Sequence, residues 1–231
     1  MLALLKIAVH FLAVAVILGA TPVWAERVWD AELKRFLTPQ EMGQEDVFLT
    51  EDEAARLMFP MSERIGQEII RLTPEQKQVV ENRIGWHFPE NEFLVYLGKT
   101  GAQIDGYALV QNTIGKHKPI TYMVGVDPNG EVLNLEVLIY REAKGSEVRT
   151  KRFNAQYEGK NVFDPIRINK DIINISGATM SVRSLSAGVK RTLVLVDEMY
   201  LKPVGRGSDT VEVKRAEQGF LGRVFGNIFG N

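Results

Sequence analysis

Between Phe93 and Tyr140 four apolar segments follow one another with barely a break: FLVYLG, DGYALVQNT, ITYMVGVD and EVLNLEVLIY. They are rich in Val, Ile, Leu and Tyr, residue types suited to a pleated, half-buried surface. Asp127-Pro128-Asn129-Gly130 separates the last two segments, and such a tetrad turns a chain back on itself. An antiparallel sheet of about four strands is the expected core. A bare sheet of this size needs a cover, and residues 181–200 supply one. There Val182, Leu185, Val189, Leu193, Val196 and Met199 fall on a single helical stripe. The expected fold class is α+β.

Residues 26–90 read as an N-terminal helical layer. Thr38-Pro39-Gln40-Glu41, Thr50-Glu51-Asp52-Glu53 and Thr73-Pro74-Glu75-Gln76 each carry the capping-box pattern, in which a Thr hydroxyl and an acid or amide three residues on satisfy each other's backbone N–H groups. Pro at the first helical position, present in two of the three, sacrifices an N–H that has no helical partner. The third helix places Val79, Val80 and Ile84 on one face and stops near Gly85.

The two ends have a different character. Residues 1–25 hold one Lys, a long apolar run and Val23-Trp24-Ala25, the pattern of a secretory signal cleaved after Ala25. An uncleaved membrane anchor is the competing reading, because the run is close to bilayer-spanning length. Both export the rest of the chain, to the periplasm in the expected case. From about Pro203 to residue 231 a flexible or amphipathic tail is expected. Phe220, Leu221, Val224, Phe225, Ile228 and Phe229 share a face if helical, which suits a membrane-surface contact. Its glycines, at ~1 kcal/mol each against Ala, oppose that helix. The 91–202 stretch between is the chemical unit.

Composition excludes several functions. With 28 Lys+Arg against 29 Asp+Glu there is no net basic footprint for nucleic acid. Cysteine is absent, which removes disulfides, thiolate nucleophiles, cysteine-held metal clusters and covalent c-type haem. His87 and His117 lack any metal-ligand spacing, and Gly98-Lys99-Thr100 is not a P-loop because Phe93 stands where that loop requires Gly. It reads as the polar end of a strand.

One stretch offers chemistry. Ser176-Gly177-Ala178-Thr179 stands at the mouth of the covering helix, where free N–H groups and the positive end of the helix dipole attract anions. Gly177 and Ala178 keep the backbone open, Thr179 presents a hydroxyl, and Ser176 and Ser181 offer further hydrogen bonds. With Met180 they make the candidate cofactor-binding segment. Taken alone, the tetrad reads first as a plain serine/threonine helix cap.

The tetrad and its surroundings resemble the FMN-binding domain family, which includes covalently flavinylated subunits of sodium-pumping NADH:quinone oxidoreductase and of ferredoxin-linked ion-pumping complexes. The family pattern is Asp-x-x-Ser/Thr-Gly-Ala-Thr, its last Thr joined to the FMN phosphate by a phosphodiester. The resemblance runs through GYALVQNTIGKHKPITYMVGVDPNGEVLNLEVLIYREAKGSEV, with Glu142 and Gly145, and through FNAQYEGK, ending at Lys160. It implies attachment at Thr179 by a flavin transferase, with Glu142 and Gly145 along the ring and Lys160 at its polar edge or phosphate. It further implies an exported electron carrier serving membrane-bound redox proteins, rather than a self-contained enzyme. At the family's Asp position this chain has Ile173, which keeps a flavin-free binding or assembly protein as the alternative. Tyr107, Tyr122 and Tyr140 are expected in sheet packing.

Overall fold

The computed structural model describes residues 28–30, 33–43 and 45–209. The expected signal segment and the amphipathic end of the tail lie outside the described residues. No helix among those described is long and apolar enough to cross a membrane.

The chain opens with a small ribbon, β1 (Trp29–Asp30) on β2 (Arg35–Phe36), followed by α1 (Pro39–Met42), β3 (Asp46–Val47), α2 (Glu51–Met58), β4 (Arg64–Arg71) and α3 (Pro74–Ile84). All three expected capping boxes form, at Thr38, Thr50 and Thr73, and α3 ends on left-handed Gly85. The central meander is β5 (Glu92–Thr100), β6 (Gln103–Ile114), β7 (Pro119–Val126) and β8 (Val132–Tyr140). A short helix α4 (Lys151–Asn154) and a loop lead into α5 (Thr179–Val196).

The sheet is larger than expected. It has six strands in the order β3-β8-β7-β6-β5-β4, all pairs antiparallel. The four expected strands form its centre. Residues 26–90 are therefore no purely helical layer, since they supply β3 and β4 to the same sheet as well as the β1–β2 ribbon. Strand β4, RIGQEIIR, hides from a pattern search because it is an edge strand in which only Ile70 is buried. Its charges blunt the open edge against another chain.

Both faces of the sheet are covered. Helix α2 closes one with Ala54, Ala55 and Met58 against Tyr96, Ala108, Met123 and Leu138. Helix α5 closes the other, with Val182, Leu185, Val189, Leu193 and Val196 buried as the stripe requires. Each such side chain contributes ~1.5–3 kcal/mol on burial, so the stripe outweighs the ~1 kcal/mol that Gly188 costs the helix interior. Gly188 is there for space: a Cβ at this position would lie 1.8 Å from the Tyr122 hydroxyl. That hydroxyl donates to the Ser184 carbonyl at 2.9 Å and fixes α5 on β7. Tyr107, Tyr122 and Tyr140 are all buried, as expected of sheet packing. At its far end α5 widens into a turn over Asp197–Leu201, where the Asp197 carboxylate takes Arg83 and Ser208. The helix is thus held along its whole length, which fixes where it starts.

Candidate functional site

Thr179 is the first residue of α5, and Ala178 is its N-cap. The contrast with α1, α2 and α3 is instructive. Each of those starts on a Thr hydroxyl, whereas no side chain caps α5. The N–H groups of its first turn are left for solvent or a ligand. Gly177 has φ +82 and nothing within 4 Å of where a Cβ would stand, so the approach to the helix mouth is open. Ser176 and Gly177 are exposed, Met180 is 45% exposed, Thr179 is half-buried, and Ala178 and Ser181 are buried.

Asn174 holds the threonine. Its Nδ2 donates to Thr179 Oγ1 at 2.9 Å, while its buried Oδ1 has no hydrogen-bond partner. Nothing in the tetrad itself pointed to this amide. The preceding loop is braced by Asp171, whose carboxylate accepts from the N–H groups of Ile166 at 3.0 Å and Arg167 at 2.8 Å. Lys160 Nζ pairs with the same carboxylate at 3.1 Å. Burial pushes the Asp171 carboxyl up, but the Arg167 N–H, Lys160 and the Ile166 N–H together outweigh it and hold the group below its ordinary range. The brace sustains left-handed backbone at Ile166 (φ +49) and Asn169 (φ +62), conformations that cost a β-branched residue about 1–2 kcal/mol. Lys160 is thus committed to the loop below the helix mouth, and no hydrogen bond or ion pair takes it to Thr179.

Gly145 reaches the mouth directly. A Cβ there would stand 2.8 Å from Ala178 Cβ and 3.0 Å from the Tyr140 hydroxyl. Gly145 has φ +88, a second reason for glycine. The Tyr140 hydroxyl donates to the Lys144 carbonyl at 2.5 Å and also meets Ser181. Burial raises its pKa, keeping it a protonated donor. Glu142 does something else. Its Oε1 accepts the N–H groups of His117 at 2.5 Å and Lys118 at 3.0 Å, so it closes the β6–β7 turn. His117 is an exposed turn residue.

Beside the helix mouth runs a cleft of about 480 Å³. Its walls are one face of α5, the end of β6 with the β6–β7 turn, the connection from α3 to β5, including Trp86, and β1 with Trp29. No sequence pattern announces the cleft, because its walls come from segments far apart in the chain. The residues at the mouth fit a phosphate ester: open N–H donors, a positive helix end, a hydroxyl held in place and no carboxylate among them.

Residues 115–194 match the family model of the FMN-binding domain, and that domain indicates FMN as the cofactor. The matched stretch contains Glu142, Gly145, Lys160 and the whole of the Ser176–Ser181 segment. Among solved structures the chain is similar to the crystal structure of Shewanella oneidensis NqrC, at 13% identity, covering 67% of this chain and 84% of that one with a TM-score of 0.43. No curated protein matches the chain.

Proposed function

From the FMN-binding domain match over residues 115–194 we propose that the chain is an electron-transfer flavoprotein whose FMN phosphate is esterified to Thr179. The observation that carries this reading is the uncapped start of α5, with Thr179 as its first residue and open space at Gly177. FMN supplies one- or two-electron carriage when bound; the chain supplies its mooring. The N–H groups and dipole of the first turn offset the phosphate charge. Asn174 orients the Thr179 hydroxyl, and Gly145 lets the 142–145 loop close against Ala178.

Loading belongs to a flavin transferase that supplies FAD. Thr179 Oγ attacks the FMN-side phosphorus, the bond to AMP breaks, AMP leaves, and the hydroxyl proton passes to solvent or a base on the transferase. Export through the N-terminal segment and service to a membrane-bound redox system complete the proposal. A covalent tether suits such a place, because a cofactor lost there is not readily replaced.

The test is co-expression with a flavin transferase, followed by acid precipitation and peptide mass analysis. The Thr179 peptide should be heavier by one FMN residue, and Thr179→Val should give a folded, colourless protein. An unmodified wild-type Thr179 peptide would defeat covalent attachment. Ile173, 76% exposed where the family carries Asp, favours a second reading. In that reading the chain keeps the fold as a flavin-free assembly protein, and the exported protein shows no flavin absorbance at all.

A further inference from the structure

The cleft along α5 has a lining with a direction. Its helical wall is Met180, Ser184, Ala187 and Arg191, spaced as one continuous face that begins one residue after Thr179. At 1.5 Å per residue, Arg191 stands about 18 Å along the axis from Thr179. That is room for a ribityl chain and three fused rings. A volume of about 480 Å³ lies within the range of small-ligand sites, roughly 300–1,000 Å³.

Polar groups wait at the far end. Arg191 is 4% exposed, and its guanidinium lies over the rings of Trp86 at 5.1 Å, Phe88 at 5.6 Å and Phe93 at 5.7 Å. Its Nε donates to Gln111 Oε1 at 2.7 Å, and its Nη1 lies 3.5 Å from Glu90 Oε2. That carboxylate oxygen is buried without a hydrogen bond, and so is Gln111 Nε2. A buried polar atom without a hydrogen bond costs about 1–3 kcal/mol, and the 3.5 Å ion pair with Arg191 leaves the Glu90 carboxylate with hydrogen-bonding capacity to spare. Glu90, Arg191 and Trp86 all line the cleft.

We propose that this cleft seats the isoalloxazine ring of an FMN moored at Thr179, with Glu90 and Arg191 reading its pyrimidine edge. The inference rests on the attachment reading above and adds to it a ring site, a recognition pair and a tuning charge. The pyrimidine edge presents an N–H between two carbonyls. The Glu90 carboxylate accepts the N–H, and Arg191 donates to a carbonyl. Trp86 forms an aromatic wall, and such a wall quenches flavin emission. The guanidinium favours the added negative charge of the reduced cofactor, so Arg191 raises the reduction potential.

The experiment uses flavin-loaded exported protein, with emission read against the same flavin after proteolytic release. Bound flavin should be several-fold dimmer than released flavin, and Trp86→Ala should restore part of the difference, Trp29 being the other indole on the lining. Arg191→Met should shift the midpoint potential to more negative values, while Arg191→Lys retains much of the wild-type value. Because Arg191 is buried, Ala187→Leu provides a test that spares it. An isobutyl group on that face obstructs the cleft without adding a quenching ring, leaving the flavin brighter and open to iodide quenching while circular dichroism stays native. Acid-stable flavin that is as bright as the released form and indifferent to Trp86→Ala and Ala187→Leu overturns the ring site and leaves Thr179 attachment standing. An exported protein with no flavin overturns both.

Discussion

Replacing Gly145 by Ala adds one methyl group at the contact between the 142–145 loop and the start of α5. Two costs follow from the geometry. At φ +88 and ψ +19 the backbone is left-handed, which costs an L-residue about 1–2 kcal/mol. The new Cβ would stand 2.8 Å from Ala178 Cβ, and overpacking of this kind costs typically ~1–3 kcal/mol. A total near ~3 kcal/mol should lower Tm by roughly 6–12 °C for a chain of this size. The steric part is separable. Ala178→Gly alone loses a buried methyl worth ~0.8 kcal/mol but places a better N-cap residue at the helix start, so it should be close to neutral. In Gly145→Ala/Ala178→Gly the collision with the Ala178 methyl is gone, and the left-handed cost of about 1–2 kcal/mol remains together with the tight 3.0 Å approach to the Tyr140 hydroxyl. Thermal unfolding by circular dichroism, with acid-stable flavin measured on the same samples, reads both quantities. Flavin loading should fall in the single variant and recover in the double. Strictly additive losses, or a single variant that melts with the wild type, would refute the claim that Gly145 is glycine because Ala178 is there.

Two further outcomes are expected. Gly188→Ala gains ~1 kcal/mol of helix propensity but collides with Tyr122, so overpacking of ~1–3 kcal/mol and a strained hydroxyl bond to Ser184 should leave it net destabilised in urea titration. Adding Tyr122→Phe should return part of the loss. Asp171 has a folded pKa below the unfolded carboxylate value, so its stabilisation is present above about pH 4. It is lost as pH falls through the lower folded value. Melts from neutral pH into that acid range should therefore show Asp171→Asn less stable than wild type near neutrality, with the gap closing as the medium is acidified.

What could be read from the chain was whatever is local and repeated. β5 to β8 announce themselves by composition and by the Asp127–Gly130 turn, the capping boxes by a four-residue rule, and α5 by its stripe. β4 was invisible because an edge strand with one buried residue has no alternation to display, and the two residues of β3 are strand only by pairing with β8. At the site, the tetrad and its threonine were legible, and Gly145 came with the family resemblance. The commitments of Glu142 to the 117–118 backbone and of Lys160 to Asp171 were not, because a carboxylate or ammonium in a loop carries no sign of its partner. Nor could any spacing rule join Glu90 to Arg191, which meet only after the sheet has brought α3's exit against α5.

The match begins at residue 115, yet the sheet ignores that point. β7 is buried along all eight of its residues, and one of its two ladders is made with β6, which lies before the match. A fragment starting at residue 115 would bare a long apolar edge and lose the Arg83 anchor at the far end of α5. Such a piece should clump rather than fold. Whoever transplants this cofactor holder into another protein must carry the strands from residue 64 onward, for heredity and mechanics have drawn its borders in different places.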